Sequence, residues 1–337
     1  MFLRKFRYAV LVVIQRFLAF KTSLNSCLSR KLSIKSFFMK ASITPLINPL
    51  VAESWGDYAL LDSGHGRKLE RYGKIIVDRP EPQALWTPSL PEEQWANAHA
   101  TFTDSGGEDS ETGKWRIHHD VADAWPVSWN GVSFICRLMS FRHMGLFPEQ
   151  LTHWQWVNEK IKKANRPLNI LNLFAYTGAA TLAAAQADAT VTHLDASKKA
   201  IQWGKDNQEA SGMQDKPIRW ICDDAKAFVA REIRRGRKYD GIIMDPPKFG
   251  RGPDGERWQI EEDLTPFLTD CASLLSDNPS FMILTAYAMR LSSVTLSNIM
   301  SDVTADKGGA VEYGELLIKQ ESGNRFLSTS LYSRWSV

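Results

Sequence analysis

Cysteine is scarce in this chain. The 337 residues include four, Cys27, Cys136, Cys222 and Cys271, widely spaced, with no C-x-x-C pair and no His/Cys ligand cluster. That spacing argues against a structural metal site and for a reducing compartment. Long apolar runs are also missing. The stretch from Tyr8 to Phe20 is broken by Gln15 and Arg16 and is short for a membrane span. No G-x-G-x-x-G occurs, which removes the glycine cradle that a dinucleotide pyrophosphate needs.

Acidic residues are absent from positions 1–40, which carry nine cations: Arg4, Lys5, Arg7, Arg16, Lys21, Arg30, Lys31, Lys35 and Lys40. Removing those nine from the 41 Lys and Arg leaves 32 against 38 carboxylates, so the body is acidic although the whole chain is formally +3. A global basic field for nucleic acid is therefore lacking. The leader reads in three ways: a mis-assigned start ahead of Met39, a mitochondrial transit segment, or a membrane anchor. A start at Met39 implies a cytoplasmic protein without a membrane segment in 39–337. A genuine leader implies the mitochondrion.

Residues 41–113 are rich in Pro, Gly and Trp and read as a β-rich N-terminal region. Within it, Thr103–Ser110 reads as an exposed loop. Residues 114–150 read as a small antiparallel subdomain. It takes in Trp115–Ile117, Val127–Trp129 and Val132–Ile135 around the hairpin signal Asn130-Gly131. Seven of the 12 tryptophans lie between Trp86 and Trp156, a density that reads as core more than as a base-stacking surface.

From residue 151 to 337 the pattern alternates. Strand-like runs at Asn169–Phe174, Thr190–Asp195, Ile218–Cys222, Tyr239–Asp245 and Ser280–Tyr287 are separated by helical stretches. These helices are expected at Thr177–Gln186, Ser197–Ser211, Ala225–Arg235, Glu261–Ser276 and Leu291–Val303. Such repetition implies a parallel, doubly wound α/β sheet. Val311–Ile318 and Arg325–Trp335 follow, joined by a turn too short for anything but an antiparallel hairpin. A parallel sheet closed by one antiparallel hairpin is the seven-stranded, Rossmann-like methyltransferase arrangement.

Three acids end successive strands: Asp195, Asp224 in Cys222-Asp223-Asp224-Ala225, and Asp245 in Asp245-Pro246-Pro247-Lys248-Phe249. In open α/β sheets ligands bind at that edge. The first strand runs into Phe174-Ala175-Tyr176-Thr177-Gly178, where one glycine opens a helix whose N-terminus suits an amino-acid carboxylate. Asp195 is placed for ribose hydroxyls, and Asp224 for the exocyclic amine of adenine. Each acid taken singly also reads as a helix N-cap. The prolines at 246–247 stop the strand, since neither can donate to a ladder.

Together, Asn172–Gly178, Asp195, Asp224-Ala225 and Asp245–Phe249 resemble class I S-adenosylmethionine-dependent methyltransferases. Within them the chain is most similar to the family of large-subunit ribosomal RNA cytosine-C5 and guanine-N7 methyltransferases, over roughly residues 115–337. The resemblance implies S-adenosyl-L-methionine as cofactor. It also implies that Phe147, Glu149 and Gln150, in the segment Gly145–Gln150, lie near it. Asn172 stands where many relatives have an acid, and Tyr176 where many have glycine.

Methylation at a pyrimidine C5 needs a cysteine thiolate. In the cytosine-C5 members of the family that this chain resembles, that cysteine follows the fifth strand; here Leu284-Thr285-Ala286-Tyr287-Ala288-Met289 has none, and Cys136, Cys222 and Cys271 read as core. A nitrogen acceptor fits better. Asp245 and the Pro246-Pro247 turn would orient it, Phe249 would stack on a base removed from its stack, and Lys248 would reach a phosphate or solvent. Gly250–Gly255 reads as a mobile lid anchored by Trp258. The basic group Arg231, Arg234, Arg235, Arg237 and Lys238 reads either as an RNA-backbone contact or as a solvated helix end. The leading expectation is methylation of RNA, ribosomal in type, at a base nitrogen, with no metal. The alternatives are a protein or small-molecule acceptor, or a non-catalytic cofactor-binding protein associated with RNA.

Overall fold

A computed structural model describes residues 46–105, 112–287 and 290–337. The basic leader, most of the loop expected at 103–110, and Ala288-Met289 lie outside the described residues. The chain opens with β1 (Leu50–Ala52), β2 (Tyr58–Gly64), β3 (Arg67–Tyr72), β4 (Ile75–Pro80) and a single helical turn, α1 (Glu92–Trp95). There follow β5 (Ala100–Asp104), β6 (Gly113–Ile117), β7 (Trp125–Trp129) and β8 (Val132–Cys136). A 3₁₀ turn at Pro148–Gln150 leads into α2 (Leu151–Ala164).

Alternation then begins with β9 (Asn169–Leu173), α3 (Ala179–Gln186), β10 (Thr190–Asp195), α4 (Lys198–Ala210), β11 (Ile218–Cys222), α5 (Ala225–Arg234) and β12 (Gly241–Met244). A small hairpin of β13 (Phe249–Arg251) and β14 (Arg257–Gln259) interrupts it. The remainder is α6 (Ile260–Ser273), β15 (Phe281–Ala286), α7 (Ser293–Val303), β16 (Ala310–Lys319) and β17 (Phe326–Ser336).

The main sheet runs β1-β16-β17-β15-β12-β9-β10-β11. Every residue of β12 and β15 is buried, as strands covered by helices on both faces must be. β17 alone runs antiparallel to its neighbours, because residues 320–325 are too few for a crossover. The expected seven strands are present. An eighth, β1, joins the edge in parallel with β16, with Leu50 beside Leu316. Sequence periodicity cannot reveal three residues recruited across so long a stretch of chain.

A five-stranded sheet, β2-β3-β4-β5-β6, precedes the main one. Trp115–Ile117, expected beside the hairpin, instead lies in β6 and pairs with β5, with Trp115 opposite Phe102. Their rings meet edge-on at 5.1 Å, and this contact selects the register. The hairpin β7–β8 turns where Asn130-Gly131 predicts. Both residues are left-handed (φ 48° and 82°), as a two-residue turn matched to strand twist requires. Trp125, Trp129 and Trp154 are buried core, consistent with the tryptophan reading.

Asp62, wholly buried in β2, joins the two sheets. It accepts hydrogen bonds from the Ser89 and Leu90 N–H groups, Trp95 Nε1, Gln320 Nε2 (2.8 Å) and Ser322 Oγ (2.7 Å). Burial by itself would raise its carboxyl; these donors outweigh it and hold the group below the usual range. A second buried charge, Glu70, receives Arg79 Nε at 2.8 Å and the Tyr58 hydroxyl at 2.9 Å. The residues around Arg79 and Lys68 form one wall of the site described next.

Candidate active site

The carboxyl ends of β9, β10, β11 and β12 open into a cavity of about 320 Å³. Phe147, Phe174, Tyr176, Asp195, Asp224, Asp245 and Pro247 line it, all singled out in the sequence. Asp223, Phe141, His143, Arg251, Trp258 and Tyr287 line it as well. A recess of about 60 Å³ adjoins it between the Gly145–Gln150 segment and α3, and adds Gln150, Ala175 and Thr177. A second recess, about 70 Å³, brings in Glu149 together with Lys68, Arg79 and Arg142. Asp245 borders all three spaces.

The loop after β9 is held by unusual backbone geometry. Phe174 and Tyr176 both have positive φ (55° and 49°), a region that costs non-glycine residues about 1–2 kcal/mol each. The conformation persists because its polar groups are held. The Ala175 N–H donates to the Leu194 carbonyl at 3.0 Å, and the Tyr176 N–H donates to Asp195 Oδ2 at 2.8 Å. Strain of this kind gathers at ligand sites. At Tyr176 the left-handed backbone is one that glycine would adopt without strain. Gly178 (φ 84°) caps α3, and a Cβ on it would press to 3.2 Å of Trp220.

The segment before α2 is fastened from the other side. Gly145 (φ 95°) lies so close to Trp203 that a Cβ would meet the indole at 2.3 Å. Its carbonyl accepts from Thr177 Oγ1 at 2.7 Å. Trp203 Nε1 and Asn207 Oδ1 in turn grip the backbone of Ile135 in β8. Phe147 is thereby set against the Tyr176 ring at 5.6 Å.

The acids differ in their engagements. Asp195 accepts from Tyr176 N–H and Ser197 N–H (both 2.8 Å), and burial raises its carboxyl despite these bonds. Asp224 caps α5 through Ala227 N–H at 2.8 Å and also lines the cavity, so its capping role does not remove it from the wall. Asp223 pairs with Arg231. Gln150 Nε2 donates to Asp245 Oδ2 at 3.0 Å, and Asp245 Oδ1 is buried without a hydrogen-bond partner. Burial, and then the negative charge of Glu149, push the Asp245 carboxyl up to about 7, with the Gln150 bond opposing them. Burial also raises Glu149.

Not every expected residue meets the cavity. Pro246, Lys248 and Phe249 lie outside its walls, as does Gly178. Phe249 is 59% exposed on β13, with the Lys248 ammonium 5.3 Å from its ring centre. The strand register of the β13–β14 hairpin turns that ring away, and Trp258 takes the interior place. Trp258 is buried, its ring lies tilted against Phe174 with centroids 5.0 Å apart, and it donates to the Pro247 carbonyl at 2.7 Å. Arg251 and Trp258 were foreshadowed by the lid expected at Gly250–Gly255; Phe141 and His143 had no local signal. In the basic group, Arg231 and Arg235 pair with Asp223 and Glu232.

The cavity suits a nucleoside cofactor without phosphates. Four carboxylates (Asp195, Asp223, Asp224 and Asp245) and the arginine Arg251 line it among the described residues, so a pyrophosphate would be repelled. Among the described residues no group of three His, Cys, Asp or Glu gathers to hold a metal, and no helix is long and apolar enough to cross a membrane.

Residues 99–275, more than half of the chain, match the family model of S-adenosylmethionine-dependent methyltransferases. The chain belongs to that family. The methyltransferase is 47% identical to a solved SAM-dependent methyltransferase from Agrobacterium tumefaciens, covering 87% of this chain and 96% of that one, with a TM-score of 0.81. A methyltransferase complexed with SAH shares the fold at 17% identity and a TM-score of 0.65, over 83% and 75% of the two chains.

Among curated relatives, the ribosomal RNA large subunit methyltransferase K of Neisseria meningitidis serogroup B is 24% identical over 86% of this chain and 77% of its own length. The ribosomal RNA large subunit methyltransferase K/L of Shewanella frigidimarina is 32% identical over 44% of this chain. This methyltransferase spans only 20% of that relative. S-Adenosylmethionine is the cofactor of the family, and it supplies an electrophilic methyl group on a sulfonium.

Proposed function

We propose that this methyltransferase modifies RNA, ribosomal in type, at a base nitrogen. The observation that carries the reading is Asp245 Oδ1, a buried carboxylate oxygen without a partner at the junction of the cavity and its two recesses. A buried acceptor left unpaired costs about 1–3 kcal/mol, and an amine or ring N–H of a bound base would satisfy it. Among the described residues no cysteine lines the cavity or its recesses. Cys136 and Cys271 are buried, burial pushes the Cys136 thiol up to about 12, and Cys222 donates to the Ala196 carbonyl at the end of β11. The names of the curated relatives support a ribosomal RNA acceptor.

In this reading Asp195 and Asp224 hold the ribose and adenine of the cofactor, and Ala175 and Thr177, just before the α3 N-terminus that Gly178 caps, face its amino-acid end. Phe147, Tyr176 and Phe174 supply apolar and aromatic walls. Asp245 orients the acceptor nitrogen, Pro247 and Trp258 form its floor, and Gln150 fixes the carboxylate. Lys248 and Phe249 meet the RNA outside the cavity. Rate then comes chiefly from alignment of nucleophile, methyl and sulfur. The widely spaced cysteines support a reducing compartment, the cytoplasm.

The test uses methyl-labelled S-adenosylmethionine with RNA and ribosomal particles from cells lacking the gene, followed by nucleoside mass spectrometry. Label on an N-methylated nucleoside, lost in Asp245→Ala, is the expected result. Label that protease removes would move the acceptor to protein, and label in a low-mass fraction to a small molecule.

A further inference from the structure

We propose that the outer face of the β13–β14 hairpin, where Arg251 stands opposite Arg257, grips the backbone phosphate of the nucleotide whose base enters the cavity. This rests on the RNA reading above and deepens it, from a base contact to a backbone contact. Strand register brings the two arginines together: Phe249 pairs with Gln259, Gly250 with Trp258, and Arg251 with Arg257. Residues directly opposite in an antiparallel pair share a face of the sheet, and so do residues two apart along one strand. Phe249, Arg251, Arg257 and Gln259 therefore lie on one face, Gly250 and Trp258 on the other. Burial agrees, since Trp258 is buried while Phe249, Arg251 and Arg257 are exposed.

Two like charges directly opposite, with Cβ atoms about 5 Å apart, destabilise a hairpin. Among the described residues Arg251 has neither a hydrogen bond nor a salt bridge to offset this. Arg257 reaches Gln259 Oε1 and comes within 4.0 Å of Glu262, but that pair is 70% and 63% exposed, so water screens it. Glu256, next to Arg257 in the chain, is engaged in the turn, where its Oε2 accepts the Asp254 N–H at 3.0 Å. Lys248 adds a third cation beside Phe249. A phosphate between the arginines would replace their repulsion with charge-assisted hydrogen bonds to both.

The hairpin is pinned from behind. Trp258 Nε1 donates to the Pro247 carbonyl. Lys226 Nζ donates to the Arg257 carbonyl at 2.8 Å and to Asp263 Oδ1 at 2.9 Å, and Asp263 Oδ2 accepts the Gln259 N–H at 2.8 Å. Lys226 lies two residues beyond Asp224 on α5, so the arginine face is fastened to the helix whose cap lines the cavity.

Charge then sorts the two halves of a nucleotide. Arg251 borders a cavity that also carries four carboxylates, which repel a phosphate and admit a neutral base. The arginine pair holds the phosphate outside. Arg231 and Arg235 do not compete for it, being paired with Asp223 and Glu232. Phe249, on the same face, offers a ring to a neighbouring unpaired base.

The test is single-turnover methyl transfer by the full chain to ribosomal RNA or ribosomal particles from cells lacking the gene, whichever takes label, over a range of salt concentrations. The half-saturating RNA concentration should rise about tenfold in Arg251→Gln and in Arg257→Gln. In the double variant the slope of log affinity against log salt should be shallower by about 0.7, the mark of one phosphate contact on a single strand. Arg257→Lys, which keeps the charge, should retain the wild-type slope. Arg257→Gln should melt no lower than wild type, because it relieves the repulsion. An unchanged slope in the double variant overturns the grip while the RNA reading stands. So does a change about twice as large, which would give each arginine its own phosphate. A lower melting temperature would make Arg257 a structural support and overturn the grip as well. Label found on protein alone overturns the RNA reading, and the grip with it.

Discussion

Gln150 Nε2 donates a hydrogen bond to Asp245 Oδ2 at 3.0 Å, across 95 residues of chain. It ties the segment before α2 to the end of β12 and leaves Oδ1 as the carboxylate oxygen without a hydrogen-bond partner. In opposition to burial and Glu149, it also lowers the Asp245 carboxyl. Gln150→Leu should therefore move the rising limb of the methyl-transfer pH profile upward. At pH 7 the rate should drop about tenfold, the equivalent of one hydrogen bond to a charged group, and recover toward pH 9. A uniform loss at all pH values would mean that Gln150 acts on something other than Asp245.

Asp245 also burdens the fold. Its folded carboxyl is raised to about 7 from an unfolded value of about 3.9. The stability linked to it is fully present below about pH 4 and is lost as pH rises through about 7. Asp245→Asn, which cannot ionise, should raise unfolding stability at pH 8 by on the order of 3 kcal/mol and leave it little changed at pH 4. Urea denaturation of wild type and variant at both pH values measures this, and equal stability at pH 8 would contradict it.

Asp62 has the opposite sign. Neutral donors hold its carboxyl below the ordinary range despite burial, so its contribution is present above about pH 3.9 and is lost as pH falls through the lower folded value. Asp62→Ala leaves the Leu90 N–H, Trp95 Nε1 and Gln320 Nε2 without this acceptor. A loss of roughly 3 kcal/mol or more is expected at neutral pH, read as a lower denaturation midpoint. Since Asp62 joins the two sheets, limited proteolysis should first release fragments from the N-terminal one.

Tyr176→Gly separates stability from binding. Glycine relieves the left-handed backbone at φ 49° but adds unfolded-chain entropy, two effects of about 1 kcal/mol that nearly cancel. The melting temperature should therefore hardly move. Loss of the ring that meets Phe147 at 5.6 Å should weaken cofactor binding several-fold by calorimetry. A large fall in stability with unchanged affinity would reverse the assignment.

Much of the scaffold was readable in advance because its signals are local. Runs such as Ile242-Ile243-Met244 are apolar without alternation because helices cover both faces of a parallel strand. The prolines at 246–247 end that strand through their own covalent structure. The short segment 320–325 forces β16 and β17 antiparallel by reach alone. Asp195, Asp224 and Asp245 could be placed on one edge once the strands were identified, since parallel strands all end on the same side.

The sequence by itself thus determined the alternation of parallel strands and helices from Asn169 to the closing hairpin, the edge that carries the acids, and the left-handed need behind Asn130-Gly131, while the helix at Leu151–Ala164 and the small β13–β14 hairpin went unread. Each feature so determined follows from residues within a few positions of one another. Only the tertiary structure decided that Leu50–Ala52 extends the main sheet, that Trp258 and not Phe249 lines the cavity, and that Glu149 and Gln150 meet Asp245. These depend on register and on packing between segments far apart in the chain. A one-residue change in strand register reverses which side chains face inward, and no local pattern records that choice.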